Sequence, residues 1–138
     1  MKNCLIVVFS LTILLLTGCG DKVGLSGKVT FSDDGSPLSV GTVCFETDTF
    51  LARGTLKADG SYVVGSLSEK DGLPAGSYKV YISGAEQEIG QDKEGMALME
   101  PLIDTKFSSA SSSGLSIDVT ASTKTFDIKV DRYVPPKK

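Results

Sequence analysis

Histidine and tryptophan are missing from the 138 residues, and the one asparagine is Asn3. Without histidine, the Ser-His-Asp and Cys-His arrangements of nucleophilic catalysis are closed. Zinc sites built from His and Cys are closed too, because only Cys4, Cys19 and Cys44 are present. Long basic runs are also lacking: Lys137-Lys138 is the longest. The net charge is −3, and losing Lys2, the one charge in residues 1–18, takes it to −4. That balance argues against nucleic acid or anionic lipid as a partner. No catalytic, cofactor-binding or metal-binding residues are expected, and the chain reads as non-enzymatic.

The N-terminus has the next feature. Lys2 precedes a short apolar run, Leu5 to Leu16, interrupted by Ser10 and Thr12. A helix spanning about 30 Å of hydrocarbon needs roughly 20 apolar residues. This run falls short of that and suits the core of a cleaved signal segment. It closes in Leu16-Thr17-Gly18-Cys19, which resembles a bacterial lipobox. The small pair Thr17-Gly18 lets a peptidase approach the backbone, and the Cys19 thiol accepts a diacylglyceryl group. Residues 1–18 are therefore expected to be a signal peptide, with Cys4 discarded in it. Residues 19–24 are expected to be a lipidated N-terminus and linker. Acyl chains such as palmitate would fix the chain to membrane lipid in the bacterial envelope, because two or more chains anchor stably. Gly20, not Asp21, follows the cysteine, which favours the outer membrane.

Beyond Asp21 the pattern becomes short alternating segments separated by Gly, Pro and Asp. Gly27–Phe31, Thr42–Glu46, Leu51–Leu56, Ser61–Gly65, Ser77–Ile82, Leu115–Val119 and Thr125–Val130 read as strands. Their alternation places Val29 and Phe31, Val43 and Phe45, and Tyr78, Val80 and Ile82 inward. Asp33–Pro37, Ala58-Asp59-Gly60 and Gly72–Gly76 read as turns. Seven short strands at this spacing predict an all-β antiparallel sandwich over residues 25–134, followed by a tail, 135–138. The connections are too short for helical crossovers, so parallel pairing is not expected.

Residues 83–114 read as a strandless loop of about thirty residues, long for a connection. Its first half is acidic (Glu86, Glu88, Asp92, Glu94, Glu100), and Met96–Met99 could form a helical turn or flap. Its Ser-rich end, 106–114, reads as slack.

The order of these elements resembles the carboxypeptidase regulatory-like family. Gly27–Phe31, Gly35-Ser36-Pro37-Leu38 and Gly41–Phe45 carry the resemblance at the start, and Ala58–Tyr62 and Gly72–Val80 continue it. Pro101-Leu102-Ile103, Lys106-Phe107 and Ser113-Gly114-Leu115 add to it, as in small bacterial lipoproteins with one such domain. Asp104 stands where that pattern has a second proline. The resemblance implies a seven-stranded prealbumin-like (transthyretin-like, Ig-like) sandwich and carries no catalytic residues.

Two residue groups remain. Alternation puts Cys44 on the outward face of its strand, where a thiol could react or pair between molecules. A small side chain covered by a neighbour is the better reading. Asp33, Asp34, Asp48 and Asp59 could hold calcium if their loops converged, but turn formation is the better reading. Tyr62 and Tyr78 read as packing residues, whereas Tyr81 points outward beside Lys79. The function expected is a binding or structural module for an envelope protein or glycan. The alternative is a carboxylate- or calcium-dependent enzyme, or a polysaccharide-binding module, using the acidic loop.

Overall fold

The computed structural model describes residues 21–66 and 71–138. The signal segment and Cys19 lie outside the described residues.

The strands are β1 (Lys22–Val23), β2 (Ser26–Phe31), β3 (Thr42–Glu46), β4 (Leu51–Thr55), β5 (Ser61–Val63) and β6 (Leu73–Pro74). They continue with β7 (Gly76–Ser83), β8 (Glu86–Gln91), β9 (Ala97–Pro101), β10 (Leu115–Val119) and β11 (Ile128–Val130). One four-stranded sheet runs β10-β7-β3-β4, and a three-stranded sheet runs β11-β2-β5. These seven strands are the sandwich, and the core lies between the two sheets. Phe45 of the larger sheet meets Tyr62 and Phe126 with ring centroids 6.1 and 6.3 Å apart. Val29, Val43, Phe45, Tyr62, Tyr78, Val80 and Ile82 are all buried in one cluster. Apolar side chains at every second position of a strand reach one face, so each strand contributes one row to that core.

The turns form where Asp and Gly stand. Gly35 and Gly60 have φ of 70° and 78°, a region that L residues with side chains rarely adopt. Asp34 Oδ1 accepts the Ser36 amide and Asp59 Oδ1 the Ser61 amide, each closing an Asx turn.

Three sequence expectations are corrected. First, β11 pairs with β2 in parallel, Ile128 opposite Val29 and Val130 opposite Phe31. The rule about short crossovers applies to successive strands; here most of the domain separates the two, and no helix is needed.

Second, 83–114 is not a strandless loop. β8 and β9 form an antiparallel hairpin with a bulge between Glu88 and Gly90. Met96–Met99 therefore forms no helical turn. Asp92 Oδ1 caps the hairpin's turn by accepting the amides of Glu94 and Met96. The Ser-rich end is tied down, not slack. A 3-10 turn at Thr105–Ser108 buries Phe107, and the buried Ser113 hydroxyl donates to the Val80 carbonyl.

Third, part of the expected linker is structured. Lys22 pairs with Pro74 and Val23 with Leu73 as β1 and β6. The Lys22 ammonium also meets the Asp71 carboxylate at 3.0 Å. Among the described residues, strand pairing starts at Lys22, three positions after Cys19.

Candidate functional site

Cys44 is buried, only 3% exposed, although its strand neighbours Val43 and Phe45 take the core side. It is outside the core cluster, so alternation assigned its face correctly. Its burial agrees with the reading of a small side chain covered by its neighbours. Arg53 and Tyr81 stand opposite it on the two flanking strands. Its Sγ lies 3.8 Å from the Thr42 carbonyl and 3.7 Å from Ser83 Oγ. Burial, and after it the neighbouring Cys44, pushes the Tyr81 hydroxyl above its ordinary pKa. A thiol covered in this way is expected to react slowly with a disulfide reagent in the native protein and promptly once unfolded. Equal rates in the two states would show that the cover is not there.

The tyrosines next to turns act as packing residues. The buried Tyr62 donates to the Phe126 carbonyl and Tyr78 to the Pro74 carbonyl, the latter at 2.7 Å. Burial raises both hydroxyl pKa values.

The aspartates do not converge. Asp33 and Asp34 belong to a clamp with Arg132, whose Nε is 2.8 Å from Asp33 and whose Nη2 is 3.0 Å from Asp34. The guanidinium lies 3.7 Å from the Phe31 ring centroid, within cation–π range. Beside it, Lys106 bonds Asp131 at 2.9 Å. The Arg132 contacts fasten the segment after β11 to the turn after β2, and Lys106 ties the 3-10 turn to the same segment. Among the described residues, no three His, Cys, Asp or Glu side chains gather as a metal site would need.

The Ser36 hydroxyl and amide hold the Asp34 carboxyl at about 2, with Asp33 and the Arg132 charge adding to the effect. A carboxyl with a depressed folded pKa stabilises above its ordinary value and loses that contribution as pH falls through the folded value. The clamp is therefore expected to hold at pH 5 and to loosen as pH falls from 3.8 toward 2. Carboxyl NMR should show Asp34 titrating near that lower end. A midpoint at the ordinary value would remove the clamp from solution.

Two surface features remain. An open polar depression of about 530 Å³ is lined by Glu46, Asp48, Ser77, Lys79 and Ser111, among others. It has no enclosed wall and no unsatisfied buried polar atom pointing into it. The second is the β8–β9 hairpin, where every residue of β8 is exposed. It carries Glu86, Glu88, Asp92, Glu94 and Glu100 against Lys93, a net −4 when the entire chain has −3. Ile89, Met96, Leu98 and Met99 are 45–66% exposed on the same arm. The sandwich is therefore close to neutral, and the arm holds the charge and the bare apolar side chains together. Sequence reading found the acidity but not the strands that display it.

No family model matches the chain, and no curated protein matches it in sequence. Among solved structures it is similar to a DUF3823 family protein from Bacteroides ovatus. That match has 20% identity and TM-score 0.44 over 81% of this chain and 45% of that one. It is also similar to the major pilin subunit of Bacillus cereus, with 9% identity and TM-score 0.46 over 80% and 30% of the two chains. A 9R-lipoxygenase from Cyanothece matches with 16% identity and TM-score 0.42 over 85% and 18%. The chain spans less than half the length of each of these proteins. With TM-scores this low they carry no functional argument.

Proposed function

We propose that this protein is a bacterial envelope lipoprotein, held to membrane lipid by acylated Cys19, whose sandwich is a non-enzymatic binding or structural module. The carrying observation is the apolar run that closes in Leu16-Thr17-Gly18-Cys19, three residues ahead of the first strand. A leader of that length supports export, and the small-residue flank before the cysteine supports lipidation. The order of turns and strands supports a carboxypeptidase regulatory-like domain. Gly20 after the cysteine supports the outer membrane.

The non-enzymatic reading rests on what the surface offers. Acid–base chemistry by two carboxylates needs them at a fixed separation across a substrate. The acidic side chains of the hairpin arm stand on two strands and a turn, none of them buried. An arm with bare apolar side chains is better suited to contact an envelope partner than to enclose a substrate. Cells grown with labelled palmitate test the anchor: the wild-type chain is expected to take up label and the Cys19→Ala variant none. Equal labelling of both, or of neither, would contradict this reading.

A further inference from the structure

The length of chain between Cys19 and the sandwich is very short, and that fixes how the module meets its membrane. We propose that the end of the sandwich formed by β1, β6 and the turn after β10 docks directly on the headgroups of the bilayer that holds the acyl chains. This inference rests on the lipidation of Cys19 argued above.

The reach follows from covalent geometry. Two residues, Gly20 and Asp21, separate Cys19 from Lys22, where strand pairing and the Lys22–Asp71 ion pair begin, so the tether is three Cα-to-Cα steps long. Fully extended, that stretch spans about 10 Å. A bilayer of about 40–45 Å has a hydrocarbon core of about 30 Å, leaving roughly 5–8 Å of headgroup on each side. The acyl chains begin at the hydrocarbon boundary, so crossing the headgroups uses most of the tether. The folded end has only a few ångströms of freedom.

The topology shows which surface this is. Gly76 begins β7 beside β6, and Val119, the last residue of β10, pairs with Gly76. The turn that follows, closed by the Thr123 amide on the Thr120 carbonyl at 3.0 Å, therefore lies at the same end. A shallow depression of about 320 Å³ runs between this turn and β1, lined by Lys22, Ala75, Ala121 and Lys124 among others. Small side chains let the surface approach closely. The Lys22 ammonium is already held by Asp71 and Ser66, and Asp21 also lines the depression, so Lys124 is the cation offered to the headgroups and contact rests chiefly on the short tether. At the other end of β7, Ser83 leads into the acidic arm. With a rise of about 3.3 Å per residue, the 8-residue strand puts the root of the arm about 23 Å further from the lipid. That exceeds the Debye length of about 8 Å at physiological salt, so the arm's root is beyond the repulsion of anionic headgroups.

The test uses acylated protein purified from a lipidating host and placed in phosphatidylcholine vesicles containing a headgroup-attached nitroxide quencher. In a Cys44→Ala background, a fluorophore is attached at Ala121→Cys, on the docked end, or at Thr55→Cys. Thr55 pairs with Thr42, which in turn pairs with Ser83, so it marks the far end. Vesicle flotation is scored first. Docking predicts loss of fluorescence at position 121 and none at 55. A Gly/Ser linker of about ten residues inserted after Gly20, with a root-mean-square span of about 17 Å, is expected to abolish the loss without changing flotation. Flotation with equal quenching at both positions, or with quenching untouched by the linker, would overturn the docking inference alone. Failure of the acyl-competent chain to float would overturn the lipid-anchor reading on which it rests.

Discussion

A mature chain that starts at Gly20 behind an ordinary cleavable secretory signal is expected to leave the membrane fraction completely and to fold as before. Acyl chains contribute about 0.8 kcal/mol per buried methylene, so removing two of them takes away the affinity that anchors the chain stably, and headgroup contact alone is too weak to retain it. Among the described residues no helix is long and apolar enough to cross a membrane. The fold should not notice, because among the described residues the buried cluster starts at Leu25, with partly buried Val23 packed on it, and both are kept in the shortened chain. Fractionation and urea melts of the two forms would read both halves of this expectation. A Gly20-initiated chain that still sediments with membranes would mean the sandwich holds the membrane without its acyl chains. A lower melting midpoint would give the lipidated residue a structural role in the fold.

Gly27→Ala is expected to destabilise the domain by about 3 kcal/mol or more, toward the top of the range for overpacked sites. Gly27 lies on β2, between β5 and β11, opposite Tyr62. A Cβ there would overlap the Phe126 carbonyl, with 2.7 Å to its carbon and 2.8 Å to the Tyr62 hydroxyl. Those two groups are hydrogen-bonded to each other, so neither can retreat without opening the seam between β2 and the segment that enters β11. One obstruction is backbone, which has no alternative rotamer. For a domain of this size the loss corresponds to roughly 10–20 °C in Tm. Gly24→Ala is the control, because a Cβ at Gly24 meets nothing within 4 Å. Similar melting of the two variants would show that β2 and β11 do not meet as described.

How much of this was legible in the sequence depends on burial. Thr42–Glu46 and Leu115–Val119 are strands with the boundaries that alternation predicts, because one face of each packs on the sandwich. The β8–β9 hairpin escaped notice for the opposite reason: both of its faces meet water, so no apolar period marks it. Alternation names the face a residue takes, not the strand beside it. The parallel pairing of β11 with β2 was therefore invisible, as were Tyr81 and Arg53 flanking Cys44. The Arg132 clamp joins residues 98 and 99 positions apart, beyond any local pattern. Cys19 is the reverse case. Its expected role comes from the leader alone, and the shortness of its tether matters only because Lys22 and Val23 turn out to be paired.

The central claim is that this sandwich is fastened to the bilayer through Cys19, and intact-mass spectrometry of the protein extracted from membranes tests it most directly. The account predicts a chain that begins at residue 19 and is heavier than its sequence by a diacylglyceryl group, with or without a further amide-linked acyl chain. An unmodified chain, or one that retains residues 1–18, would contradict it.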